Sequence, residues 1–200
     1  MKNVHDFASA VILAGGKSTR MGFDKQLLKM NNRPIVQHLI TLLSSRFNDI
    51  MIASSTPELY DHGNVRVIED IYKDAGPLGG IHSALVKAKN DAVFVIACDM
   101  PFVEISYIDY MLSRLKVGNY DACLTSRGDY LETFHAFYCR SSLPVLEDDL
   151  ANGKNSVHRF ARKINSLIIA EDVAQAYLPG WRAFMNLNTP EEYESFKRSL

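Results

Sequence analysis

The sequence has almost no excess of charge of either sign: 22 Lys and Arg against 23 Asp and Glu leave a formal net charge of -1 over 200 residues. Bulk binders of nucleic acid or of membrane surfaces carry a large positive excess, so neither is expected as a partner, and an anionic ligand has to be met by local charge. Cysteine is scarce as well. Cys98, Cys123 and Cys139 are odd in number and form no CxxC pair, which excludes a disulfide or zinc framework and predicts reduced thiols in a cytoplasmic protein. No apolar run reaches the roughly 18 residues of a membrane span. The lone tryptophan, Trp181, reads as a packing residue ahead of Phe184. No linker, repeat or low-complexity segment interrupts the chain, so residues 1–200 are expected to form a single domain that buries about 70% of the surface its unfolded form exposes.

Apolar residues, at 47% against 22% charged, are as plentiful as in an ordinary globular chain, and they fall in short runs that alternate with helical segments. Residues 10–14 (AVILA) read as a buried strand that stops at Gly15-Gly16. After Pro34, the residues Ile35, Val36, Leu39, Ile40, Leu42, Leu43 and Phe47 recur at helical spacing. Strands are predicted at 50–53, 65–68 and 92–98, and helices at 78–89 and 106–115. Strand and helix in turn, with short connections, are the mark of βαβ units around a largely parallel sheet. Residues 122–126 and 133–139 read as an antiparallel pair across Arg127-Gly128-Asp129, which makes the sheet mixed. Thr189, Pro190 and Glu192 form a capping-box start to a terminal helix. The expected fold is α/β: a Rossmann-like three-layer αβα sandwich with a mostly parallel mixed sheet.

Glycine is concentrated where a ligand would need it. Gly15, Gly16 and Gly22 lie in the loop after the first strand, and Gly76, Gly79 and Gly80 in a second loop. Glycine that follows a buried strand lets backbone N–H groups approach a ligand closely, at the sheet edge where parallel sheets bind their ligands. The first loop also carries Lys17, Arg20 and Lys25, opposed within it only by Asp24, which by chemistry is a phosphate site. It is neither of the common phosphate motifs. A Walker A loop ending at Gly16-Lys17-Ser18 would need glycine at Val11, inside the strand, and GxGxxG fails because Gly15 and Gly16 are adjacent. His82 and His135 have no metal-spaced partner and read as core or surface histidines.

The run from Leu13 to Lys25 resembles the LAGGxSxRMGxDK signature of nucleotidyltransferases that couple a nucleoside triphosphate to a phosphorylated acceptor. Ile68-Glu69-Asp70, Gly76-Pro77-Leu78-Gly79-Gly80, Cys98-Asp99-Met100-Pro101-Phe102 and Asn186-Leu187-Asn188-Thr189-Pro190-Glu191 narrow the resemblance to the molybdenum cofactor guanylyltransferases of the MobA type. The motifs follow the family order along almost the whole chain. The resemblance implies transfer of GMP from GTP to the terminal phosphate of molybdopterin, with or without molybdenum, and release of pyrophosphate with Mg2+ present. It implies catalytic roles for Arg20, Lys25 and Asp99, with Asp99 as the metal ligand. Nucleotide binding falls to Leu13, Ala14, Gly15, Gly16, Lys25, Asp70, Gly76, Pro77, Leu78, Gly79 and Asp99, and Asn186 and Asn188 are placed on the metal and pterin side. Proteins that deliver or receive the cofactor are further implied partners.

By residue type alone, Asp99 also reads as a turn or helix cap, Asp70 as a loop residue bonding its own backbone, and Asn186 and Asn188 as turn formers before the last helix. Lys154 and Arg159 read as a solvated face or, from the resemblance, as neighbours of the anionic pterin. The chain departs from the family pattern at Ser54-Ser55, where many relatives have asparagine, and at Thr133, where proline is usual. Cytidylyl transfer, a sugar-phosphate or isoprenoid-precursor nucleotidyltransferase, and a nucleotide-binding module without turnover are the competing readings.

Overall fold

A computed structural model describes residues 7–15, 25–60 and 65–199. The chain runs β1 (Ala8–Leu13), β2 (Lys29–Met30), β3 (Arg33–Pro34), α1 (Ile35–Leu43), β4 (Ile50–Ala53), β5 (Arg66–Ile68), α2 (Pro77–Lys87), β6 (Ala92–Ala97) and α3 (Ile105–Val117). It continues through β7 (Ala122–Arg127), β8 (Tyr130–Cys139), α4 (Leu143–Ala151), α5 (Val157–Lys163), β9 (Ser166–Ile169), α6 (Glu171–Gln175) and α7 (Pro190–Arg198). Seven strands form one sheet in the order β5-β4-β1-β6-β8-β7-β9, and β8 runs against its neighbours.

The alternation of side chains along β1 explains the three layers. Ala8, Ala10 and Ile12 enter one core with α1, α3 and Phe196 of α7, while Val11 and Leu13 enter a second with α2, α4 and α5. Successive residues of a strand point to opposite faces, so a strand that is apolar at every position has to be covered twice. β6 does the same, with Phe94 and Ile96 on one side and Val93 and Val95 on the other. The polar exception in β1 is Ser9, whose hydroxyl donates to Asp49 Oδ2 at 2.6 Å. Burial works to raise the Asp49 carboxyl, but the Lys89 N–H, Ser9 and Arg66 together hold it below the ordinary range. This cluster ties β1, β5 and the start of β6 together at the edge away from the glycine loops.

The expected mostly parallel mixed sheet is present, with more to it than the sequence pattern indicated. β9, an edge strand parallel to β7, and helices α4, α5 and α6 fill the stretch after residue 139. Gly128, at φ +57°, turns the β7–β8 hairpin where the turn was expected. Among the described residues, no helix is long and apolar enough to cross a membrane.

The β7–β8 pairing is interrupted. Cys123 faces Phe137 and Thr125 faces Glu132, so two steps on β7 are matched by five on β8. The excess residues bulge, and His135 at φ +54° turns into the core, edge-on to Phe94 and Phe184 at ring-centroid distances of 5.0 and 5.8 Å. Neither of its ring nitrogens has a hydrogen-bond partner among the described residues. Burial lowers the imidazole from 6.5 to about 4. The unfolded chain therefore takes up a proton that the folded chain refuses, and stability falls as pH drops from 6.5 toward 4. Burial lowers His38 and His158 in the same direction. In His135→Phe the loss of stability between pH 7.5 and pH 5, followed by urea unfolding, is expected to shrink by about 2 kcal/mol. An unchanged pH slope would refute this account of His135.

Candidate functional site

The order of crossovers locates the site. From β1 the chain moves outward to β4 and β5, then returns to place β6 on the other side of β1, so the loops after β1 and β6 part from each other. Open parallel sheets bind ligands at this point, outside the carboxyl ends of the strands. Two backbone bonds hold the ends of the three strands level there: Cys98 N donates to Leu13 O at 3.0 Å and Ala14 N to Ala53 O at 2.9 Å.

Three chain segments meet over this crevice. Lys25 opens a short 3-10 turn (Lys25–Leu27), and its Nζ donates to Asp99 Oδ2 at 2.6 Å and to Asn188 Oδ1 at 2.7 Å. Asp99 lies two residues past the end of β6, and its carbonyl accepts from Leu187 N at 3.0 Å. Asn188 is held by the start of α7. Glu192 Oε2 accepts from the N–H groups of Asn188 and Thr189, and Thr189 Oγ1 accepts from Glu192 N, which completes the expected capping box. Tyr193 of α7 also brackets Lys29, accepting from its N–H at 3.0 Å and donating to its carbonyl at 2.9 Å. The last helix thereby fixes both Asn188 and the strand that follows Lys25.

The second glycine loop flanks the same edge. Gly76, at φ +60° and ψ -153°, adopts a backbone conformation open to glycine, and Pro77 starts α2 immediately after it. A Cβ on Gly79 would lie 2.8 Å from the backbone oxygen of Tyr72, so packing demands glycine there, and one on Gly80 would lie 2.9 Å from Leu13 Cδ2, a side-chain end that would have to shift. Asp70 closes over this first turn of α2, its carboxylate oxygens 3.4 and 3.6 Å from those same two positions. No hydrogen bond among the described residues reaches the Asp70 carboxylate. Burial raises its pKa, against the opposing influence of Lys73, Lys87 and His82. At Gly15, among the described residues, a Cβ would meet nothing nearer than Ala53 O at 3.8 Å, an ordinary contact.

Not every anticipated residue joins the cluster. Gly16 and Arg20 lie outside the described residues. Leu13 and Leu78 are core side chains, at 7% and 0% exposure, so they offer a ligand only their backbone. Asn186 turns its amide to Phe184 O at 3.3 Å, and it is Asn188 that meets Lys25. Lys154 pairs with buried Asp149 at 3.7 Å, a structural use of its charge, and the Arg159 side chain is exposed. Ser54 donates its hydroxyl to Gln26, which carries no mark in the sequence because a glutamine beside a signature lysine has no distinctive spacing. Trp181 packs 5.8 Å from Phe184 with the Arg127 guanidinium over its ring, as expected of a packing residue.

The arrangement brings an ammonium and two hard oxygen donors to one point at the sheet edge. Asp99 and Asn188 converge on a cation, and one or two such oxygens, completed by phosphate and water, are what a magnesium ion takes. Among the described residues there is no cluster of three or more acidic, His or Cys side chains that would cage a metal by itself.

Residues 10–167 match the family described as the MobA-like NTP transferase domain. The chain is 44% identical over 192 residues to the molybdenum cofactor guanylyltransferase of Syntrophotalea carbinolica, a match covering 96% of this chain and 91% of that one. It is 39% identical over 197 residues to the probable molybdenum cofactor guanylyltransferase of Peptoclostridium acidaminophilum, with 96% and 89% covered. The solved structure of molybdopterin-guanine dinucleotide biosynthesis protein A from Archaeoglobus fulgidus shares the fold, with a TM-score of 0.85 and 22% identity over 96% of this chain and 98% of that one. Likeness of that extent, with the signature lysine at the crevice, means that the chain belongs to the MobA-like NTP transferase family.

Proposed function

We propose that this protein is a molybdenum cofactor guanylyltransferase, which transfers GMP from GTP to the terminal phosphate of molybdopterin. One acceptor phosphate oxygen attacks the α-phosphorus, a new P–O bond forms, and the bond from the α-phosphorus to the bridging oxygen of the β-phosphate breaks to release pyrophosphate. The observation that carries this reading is the junction of Lys25 with Asp99 and Asn188 at the parting of the β1 and β6 loops. Phosphoryl-group transfer asks little covalent help of a protein, and most of the acceleration comes from positioning and neutralising charge.

Lys25 meets the charge that builds on the leaving pyrophosphate, and Arg20 supplies a second cation from the same loop. The backbone of Leu13, Ala14, Gly15 and Gly16 holds the nucleotide. Asp70 and the loop through Gly76, Pro77, Leu78 and Gly79 receive the base. A carboxylate accepts from both the N1–H and the exocyclic amine of guanine, and the exposed Gly76 and Pro77 leave the approach clear. Asp99, assisted by Asn188, would hold Mg2+, which when bound neutralises phosphate charge. Asn186 and Asn188 border the acceptor side. The thiols support a cytoplasmic setting: no disulfide joins the three cysteines, and burial drives Cys123 and Cys139 up to about 12, which makes these two poorly reactive.

Pyrophosphate release by the purified protein with Mg2+, molybdopterin and each nucleoside triphosphate in turn is expected with GTP, and release with CTP alone would overturn the guanine assignment. Lys25→Ala is expected to lower kcat on the order of a hundredfold, the loss typical of removing one transition-state charge contact; wild-type kcat in this variant would remove Lys25 from the chemistry. Asp70→Asn sets an amide NH2 against the guanine donors, so the KM for GTP should rise on the order of tenfold with a smaller change in kcat. An unchanged KM would mean that Asp70 does not read the base.

A further inference from the structure

Lys25 is aimed by its neighbours, and the turn that carries it has an unusual anchor. The side-chain oxygen of Gln26, the next residue, accepts from three hydroxyls: Tyr60 at 2.7 Å, Ser54 at 2.9 Å and Thr56 at 3.1 Å. Ser54 is itself oriented, because its Oγ accepts from Thr56 N at 3.0 Å. Ser54 and Tyr60 are buried at 3% and 7% exposure, while Gln26 and Thr56 are half-buried, so these bonds are partly shielded from competing water. All three hydroxyls belong to the segment leaving β4, whose last residue, Ala53, receives the Ala14 N–H. The amide of Gln26 thus ties the turn beginning at Lys25 to the same strand end that braces the first glycine loop.

The other anchors act farther along the chain. Leu28, at 1% exposure, plugs the turn into the core, and Tyr193 holds Lys29. Both secure the exit of the turn, three and four residues from Lys25. A lysine has four side-chain torsions, and its reach to Asp99 depends on where its own backbone sits. Leu28 also donates its N–H to the Lys25 carbonyl at 3.2 Å within the turn, and Gln26 adds a side-chain anchor at the adjoining residue.

We propose that Gln26 is a positioning residue for Lys25: through its three hydroxyl donors it holds the turn at the angle that delivers the ammonium to Asp99. This rests on the reading of Lys25 given above, and its consequence is specific. Gln26 acts on the reaction only through Lys25, so its removal has an effect only while the lysine is present.

The test is a double-mutant cycle on pyrophosphate release with GTP. Gln26→Leu removes the acceptor and is expected to lower kcat about tenfold or more, since displacing a catalytic group by about an ångström is costly. In a Lys25→Ala background the same substitution is expected to change kcat less than twofold. Equal fold-changes in both backgrounds would assign Gln26 a general structural role and overturn the proposal. Gln26→Glu keeps an oxygen acceptor for the three hydroxyls and should restore most of the kcat; failure of this rescue in a folded variant would also overturn it. A second readout is independent of turnover. The rate of Lys25 modification by an amine-reactive reagent, followed by peptide mass spectrometry, is expected to rise severalfold in Gln26→Leu and to return toward the wild-type rate in Gln26→Glu. An unaltered rate in Gln26→Leu would sink the positioning role, even if the wild-type protein showed no transfer and the functional reading itself had to be abandoned.

Discussion

One ammonium group draws three remote parts of the chain to a single sheet edge. Lys25 belongs to the turn after the first glycine loop, Asp99 to the exit of β6 and Asn188 to the threshold of α7, and they meet within 2.7 Å of the lysine nitrogen. The lysine and aspartate side chains are 24% and 10% exposed, so the pair is largely withdrawn from water without being sealed off. Such a pair gives little net stability, because desolvation of two charges offsets much of their attraction. Its value lies in placement. A cation that has already lost part of its hydration, held beside a carboxylate at the rim of a parallel sheet, is prepared for a phosphate ligand, and charge that develops near it needs no large rearrangement of solvent.

Near-neutrality of the whole chain and a concentrated local charge are compatible because the remaining buried charges are consumed internally. Asp49 takes Arg66 at the opposite edge of the sheet, and Asp149 takes Lys163 and Lys154 in the α4–α5 layer. The first pair joins the entrance of β4 to β5, and the second holds α4 to α5 within one layer. The Lys25 junction instead joins segments at the carboxyl-end edge of the sheet. Gly79 and Gly80 contribute differently: their missing side chains let α2 close onto Leu13 and Tyr72, which lets Asp70 stand over the first turn of that helix.

The first half of the molecule could be read from its residues because apolar runs such as residues 10–14 and 92–98 are buried on both faces, and a strand with no polar side has one place to go. The glycine-rich loops and the capping box at Thr189 were visible for a similar reason, since their local chemistry permits few conformations. β9 escaped notice because a four-residue edge strand with partly exposed side chains carries no distinctive period. The bulge in β8 was hidden as well. His135 sits in a strand-like run, and its left-handed backbone follows from the competition of β6 and β7 for the register of one strand.

Local composition therefore dictated the βαβ alternation, the glycine loops and the candidate side chains, because each depends on residues near one another in the chain. Choices among those candidates were made elsewhere. That Asn188 and not Asn186 reaches Lys25, and that Gln26 collects three hydroxyls from the β4 exit, both depend on which distant segments stand side by side at the sheet edge. Sheet order sets those neighbours, and it arises from packing of whole helices on two faces, over sequence separations as long as the 163 positions between Lys25 and Asn188. No local pattern carries that information.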